Sequence, residues 1–334
     1  MRALLIGCGK IGSEFADDPR IKGIYTHAGA WRACAGVDLV AVCDNDGARA
    51  QRCAERWQVG ACYDDPVAAL EKVRPDLVSV CTPDATHFAL LEQVLATPGV
   101  RGVLAEKPLA TDLAQACRIV DQAAAKGIAL AVNYSRRYSR GHQALRERLR
   151  RGDLGDIQRV AGAYTKGTLH NGTHWFDLAR FLIGDVAAVW AHGTLPAAGG
   201  EPTLDVGLRF AGGSSGHLAG LDANAYSLFE MDILGTQGRV RIVDHGHALE
   251  WTRVGDSPYY SGYRTLLADK REDGELEDTL LHAAQDLVAA IEEQRPPRCS
   301  GEDACAALAI GLAAMASAAS GGAEQVPVKC AQHR

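Results

Sequence analysis

Met1-Arg-Ala-Leu-Leu-Ile-Gly7-Cys-Gly9-Lys-Ile-Gly12 decides the fold. A short apolar run, residues 3–6, meets three glycines spaced G-x-G-x-x-G, with Lys10 and Ile11 between the second and third. The run is too short for the apolar stretch of a secretory leader and breaks at Gly7 and Lys10, so it reads as a strand. A glycine pattern alone is an ordinary turn. Placed straight after a strand and before a helix-forming segment, it is a phosphate-cradling loop. The first glycine permits the tight turn, the second lets backbone approach a pyrophosphate, and the third lets helix and strand pack closely.

The segments that follow support this reading. Further apolar strands are expected at 37–44, 77–81, 102–105 and 128–133, with helices near 30–35, 46–57, 88–95 and 113–126. Alternating strands and helices give a parallel sheet with helices on both faces. Ligands bind such sheets beyond the carboxyl ends of the strands, where Gly7, Asp44, Thr82, Glu106 and Asn133 all fall. Asp44 ends the second strand, where a carboxylate accepts from ribose hydroxyls and repels a 2'-phosphate. NAD is therefore the expected cofactor. Asp44 lies 32 residues past Gly12, against about 20 in the usual fingerprint. The excess reads as a loop inserted over 17–28, because Pro19 and Gly23 oppose a continuous helix. Tyr25, Thr26 and His27 are placed either at the pocket or on a surface contact loop.

After about residue 140 the pattern changes. A basic helix at 142–151 precedes strands at 157–165, 186–193, 203–211, 215–222, 228–234 and 238–243, then helices at 279–294 and 302–319. The expected architecture is an α/β Rossmann domain over 1–133 and an α+β domain over 134–320. The second carries a large, mostly antiparallel, open-faced sheet, the last helix has the option of packing back on the first domain, and 321–334 is a tail.

Bulk properties narrow the function. The chain has 334 residues, 47% of them hydrophobic, and a net charge of -6 with no long basic run. This argues against nucleic acid or an anionic membrane as partner. No stretch reads as a membrane span. Ten cysteines occur without a C-x-x-C spacing, which suits free, reduced, buried thiols and a cytoplasmic location.

The chain resembles the glucose–fructose oxidoreductase / inositol dehydrogenase (Gfo/Idh/MocA) family from residue 3 to about 320. The resemblance rests on Glu106-Lys107-Pro108, Thr82-Pro83-x-x-x-His87, Asn133-Tyr-Ser-Arg-Arg-Tyr138, Gly172-Thr-His174-Trp-Phe-Asp177 and Arg295-Pro-Pro-Arg-Cys-Ser-Gly-Glu-Asp-Ala304. It implies an NAD-dependent dehydrogenase or ketoreductase acting on a secondary hydroxyl or ketone of a sugar, nucleotide-sugar or cyclitol. Lys107 polarises the substrate oxygen, and His174 acts as general acid and base across an interdomain cleft.

His170 stands where many relatives carry Asp, which puts the proton relay in question. The resemblance places Thr82, Pro83, His87, Glu106, Lys107 and Asn133 at the cofactor. It places Lys107, Arg137, Tyr138, His170, Asn171, His174 and Asp177 at the substrate, with Arg137 suited to a phosphate or carboxylate. Thr173 or Asn171 is expected to cap the His174 helix. His170, His174 and Asp177 have a spacing that aligns ligands on one helix face, but no third strong ligand follows, so no metal is expected. The resemblance also implies a homodimer or homotetramer. Two alternatives remain: an NAD-dependent glycosidase working by transient oxidation, and a non-catalytic NAD- or sugar-sensing protein.

Overall fold

The computed structural model describes residues 1–193 and 200–330. The chain begins with β1 (Arg2–Ile6), α1 (His27–Ala33), β2 (Asp38–Cys43), α2 (Gly47–Trp57), β3 (Cys62–Tyr63) and α3 (Pro66–Val73). Next come β4 (Leu77–Val80), α4 (Asp84–Ala96), β5 (Gly102–Ala105), α5 (Leu113–Ala125) and β6 (Ala129–Val132). The middle of the chain holds α6 (Arg140–Arg150), β7 (Ile157–Tyr164), α7 (Gly172–Leu182), β8 (Val186–His192), β9 (Asp205–Phe210) and β10 (Ser215–Gly220). Then follow β11 (Phe229–Gly235), β12 (Gly238–Val243), β13 (Ala248–Asp256), β14 (Arg264–Asp273), α8 (Thr279–Glu293) and α9 (Gly301–Ala319).

Contacts divide the chain into two compact units. The first comprises Met1–Tyr138, Glu277–Cys305 and the chain from Cys330; the second comprises Ser139–Leu276 and Ala306–Lys329. The sequence reading put α8 in the second domain. Its apolar stripe, Leu280, Ala283, Ala284, Leu287 and Ala290, is buried instead in the first unit. There α8 packs against α1, β5 and β6. Gly102 leaves room for this approach: a Cβ there would meet Ile291 Cδ1 at 2.7 Å.

The first unit's sheet has the order β3-β2-β1-β4-β5-β6, and every pairing is parallel. Its central strands β4 and β5 are buried at every residue, as continuous apolar runs covered on both faces should be. The strand order reverses direction between β1 and β4, which makes the cleft beyond Ile6 and Val80 the ligand-binding point of this sheet type. Two elements, β3 and α3, escaped the sequence reading. The capping signal of α3 is plain in retrospect: Asp65 accepts from the amides of Val67 and Ala68, with Pro66 at the first helical position.

The helix expected directly after Gly12 is split. A 3-10 turn spans Glu14–Asp17, and α1 starts only at His27. The amides of His27 and Ala28 donate to the carbonyls of Ile11 and Gly12 (3.1 and 3.0 Å). Helical hydrogen bonding begun at the glycine loop thus resumes after an excursion over 13–26. The excursion is pinned at both ends. Trp57 Nε1 and Arg56 Nη1 donate to Ser13 Oγ (2.9 and 3.0 Å), and Ile24 N donates to Asp278 Oδ1 (2.7 Å).

The second unit's sheet runs β14-β13-β12-β11-β7-β10-β9-β8, antiparallel except for the β7–β10 pair. Trp175 and Phe176 of α7 join its core with Val160, Tyr164, Met231 and Ile233. Trp175 lies over Gly162, where a Cβ would meet Nε1 at 2.3 Å, and donates from Nε1 to Glu230 O (3.0 Å). The open face carries charge instead: Arg239 pairs with Asp232, and Arg241 with Glu250.

Helix α9 is long and apolar enough to cross a membrane, contrary to the sequence reading. About half of it is buried against protein, including Cys305, Leu308 and Ile310, which is how a core helix behaves.

Candidate functional site

Gly7 takes φ +98°, and a Cβ there would lie 2.5 Å from Cys81 C, so only glycine fits. A Cβ on Gly12 would lie 2.1 Å from Gly7 O. Gly9 differs from both. A Cβ built on it meets nothing within 4 Å, so the loop faces open space at the position where a pyrophosphate is expected. Lys10 is exposed and Ile11 partly exposed beside it.

Asp44 reaches back to this loop. Its Oδ2 accepts from Cys8 N (2.8 Å), while Oδ1 accepts from Asp46 N (3.0 Å) and Arg49 Nη1 (3.2 Å). Arg49 was not among the residues expected at the cofactor. The signal lay one helical turn on: Asp46 caps α2 by accepting from Arg49 N (3.0 Å).

At the end of β5, Glu106 is 14% exposed along its side chain. Its Oε1 accepts from His27 Nε2 (3.1 Å) and Asn133 Nδ2 (2.6 Å). His27 is fully buried, and its Nδ1 lies 2.9 Å from Ser79 Oγ, which also accepts from Trp31 Nε1 (2.7 Å). Nε2 must carry a proton to face a carboxylate, whichever charge state the ring holds. Burial pushes the Glu106 carboxyl up. The hydrogen bond and charge of His27, then Asn133 and Lys107, outweigh this and hold it below the usual carboxylate range. Asn133 Oδ1 is buried with no partner among the described residues. An orphaned amide oxygen beside a carboxylate and an open glycine loop fits a nicotinamide–ribose ligand. These residues therefore suit NAD: the glycine loop for the pyrophosphate, Asp44 for a ribose, Glu106 and Asn133 for the nicotinamide half.

Lys107 follows Glu106 and is 9% exposed. His87, expected to line the cofactor, is fully buried. It bridges Thr82 O (2.7 Å) and Pro108 O (2.6 Å), so it braces the loops after β4 and β5 against each other. Thr82 itself is partly exposed and Pro83 exposed. Of Tyr25, Thr26 and His27, only Tyr25 is open to solvent, at 39%. Thr26 is buried as the N-cap of α1, accepting from Gly29 N.

Two expected substrate residues are buried in the first unit. Arg137 is buried and pairs with Asp303 (3.0 Å) within the first unit. Tyr138 is fully buried, and its carbonyl faces His282 Nδ1 (3.2 Å).

In the second unit a π-helical turn, Gly167–Asn171, runs directly into α7. Neither expected cap serves. Asn171 Nδ2 donates to Thr165 O (2.9 Å), and Thr173 Oγ1 donates to Leu169 O (2.7 Å). Glu201 takes that role, accepting from the amides of Leu169 and His170. The positive end of the helical run thus sits at Gly167, and His174 lies a full turn inside it. His170 is exposed, Asn171 and His174 are partly exposed, and Asp177 is buried one turn beyond His174.

Family models match both halves of the chain: the NAD-binding Rossmann fold of the GFO/IDH/MocA oxidoreductases over residues 1–134, and the GFO/IDH/MocA C-terminal domain over residues 142–241. The chain belongs to the Gfo/Idh/MocA family of NAD-binding oxidoreductases. Among its relatives, a myo-inositol 2-dehydrogenase of Thermotoga maritima is 26% identical over 95% of this chain and 96% of its own length. A D-glucoside 3-dehydrogenase of Escherichia coli is 30% identical over 58% and 57%. An Agrobacterium radiobacter oxidoreductase solved with NAD+, L-tartaric acid and magnesium superposes with a TM-score of 0.78, at 23% identity and 98% coverage of both chains. The two named relatives are dehydrogenases of CH–OH groups, and the family's Rossmann fold is NAD-binding.

Proposed function

We propose that this family member is an NAD-dependent dehydrogenase or ketoreductase working on a secondary hydroxyl or ketone of a sugar, nucleotide-sugar or cyclitol. One observation carries the reading. Lys107, nearly buried, directly follows a Glu106 carboxylate fixed by His27 and Asn133, at a strand end beside the open glycine loop. The relatives' names support the substrate class: inositol 2-dehydrogenases and a glucoside 3-dehydrogenase.

Bound NAD supplies a two-electron hydride acceptor. The protein's residues do the rest. The Lys107 ammonium donates a hydrogen bond to the substrate oxygen and stabilises the negative charge that grows as its proton leaves. The family resemblance gives His174 the part of the general base, which accepts that proton and returns it in the reverse direction. Glu106, held ionised, would accept from a ribose hydroxyl of the cofactor and help to orient it. His170 contacts a substrate hydroxyl in place of the carboxylate common in the family. Native mass spectrometry of the purified chain tests the cofactor half of this reading. NAD should be retained or taken up at one per chain; a protein that binds no NAD contradicts it.

A further inference from the structure

Three cysteines far apart in sequence meet in the first unit. Cys117 on α5, Cys305 on α9 and Cys330 near the end of the chain hold their sulfurs within 4.8 Å of one another, and Cys117 and Cys330 are joined as a disulfide. Among the described residues, no other three His, Cys, Asp or Glu side chains come within reach of one ion. We propose that, with this disulfide reduced, Cys117, Cys305 and Cys330 bind one thiophilic cation of the Zn2+ class.

The disulfide needs two sulfurs, yet a third is held in the same small volume. Cys305 is 3% exposed on a helix start that cannot drift. A Cβ on Gly301 would lie 2.7 Å from Val120 Cγ2, so α9 begins tight against α5. Cys299 O also accepts from Val132 N (3.0 Å), which ties the approach to α9 to the sheet. Two sulfur positions are therefore set by packed helices, and the third arrives with the tail.

Size fits a thiophilic dication. Zinc–sulfur bonds of about 2.3 Å place tetrahedral sulfurs about 3.8 Å apart, inside the observed spread. A metal deprotonates coordinating thiols outright, and three thiolates more than neutralise a dication. Three sulfurs select zinc, cadmium or copper(I) over magnesium or calcium. Water completes the fourth position.

The redox step balances simply. A dithiol transfers two electrons and two protons to the Cys117–Cys330 bond and becomes a cyclic disulfide. Cation capture then expels one proton from each of the three thiols. The disulfide and the cation thus exclude each other.

The test uses the full chain in a Cys62→Ser background, which removes the exposed free thiol. The protein is reduced with a phosphine, desalted without oxygen and titrated with Cd2+, reading cadmium–thiolate charge-transfer absorption and native mass. One ion per reduced chain is expected, and none on the oxidised protein. Cys305→Ser and Cys330→Ser should each weaken binding by about tenfold or more. Cys330 is only half-buried, so its variant keeps the folded core. No stoichiometric Cd2+ on the reduced chain, or binding unchanged in both variants, overturns the proposal.

Discussion

His27 Nε2 lies 3.1 Å from Glu106 Oε1 and joins the first helical residue after the inserted segment to the carboxylate that precedes Lys107. Replacing His27 with Leu leaves a buried carboxylate with one partner fewer. The expected cost is about 1–3 kcal/mol in denaturant unfolding at neutral pH. The sign with pH follows from Glu106. Its folded carboxyl is held below the usual range, so its stabilisation is present above that range and is lost as pH falls through the folded value. The gap between wild type and His27→Leu should therefore narrow in acid. A gap that stays constant would separate His27 from the Glu106 charge.

Two glycines of one loop should fail differently. Gly9→Ala adds a methyl that meets nothing, so stability without cofactor should not change while NAD binding falls. Gly12→Ala drives a Cβ to within 2.1 Å of Gly7 O and should cost about 1–3 kcal/mol or more with or without NAD. Thermal melts with and without NAD separate the two. At a hundred times Kd, NAD adds about 2.7 kcal/mol to wild type. A Gly9→Ala protein with the full NAD shift would show that the pyrophosphate lies elsewhere.

Asp44→Ala removes the carboxylate and leaves Arg49 facing the vacated position. The preference for NADP over NAD, measured as a ratio of kcat/KM, should rise by roughly tenfold or more, equivalent to about 1.4 kcal/mol. An unchanged ratio would mean that Asp44 does not read the ribose.

Glu201 holds the amides that open the helical run leading to His174. Glu201→Ala should lower stability by about 0.5–2 kcal/mol, as loss of a helix cap does. Urea unfolding measures it directly.

Which parts of this picture the sequence could show depends on how local their causes are. The parallel sheet and its strand ends were legible because β4 and β5 are continuous apolar runs and the glycine pattern is short-range. The inserted loop showed as excess length, but the amide of His27 donating to Ile11 O joins residues 16 apart, which no helical period marks. Strands β13 and β14 escaped because most of their residues are not buried: three of nine are buried in β13, and none of ten in β14, which also carries charges. Glu201 caps residues about 30 positions upstream, and the Cys117–Cys330 bond spans 213, a pairing that spacing cannot give. The burial of Arg137 and Tyr138 and the Arg137–Asp303 pair, joining residues 166 apart, could not be read from their motif.

The central claim is that Lys107 polarises the substrate oxygen while NAD binding is left to other residues. The measurement is NADH formation by wild type and Lys107→Met on a panel of inositols, hexosides and UDP-sugars, with NAD affinity determined in parallel. Wild type should reduce NAD with at least one member of the panel. Lys107→Met should lose about 100- to 1000-fold in kcat and keep NAD affinity within a few fold. Wild-type turnover in Lys107→Met would contradict the account.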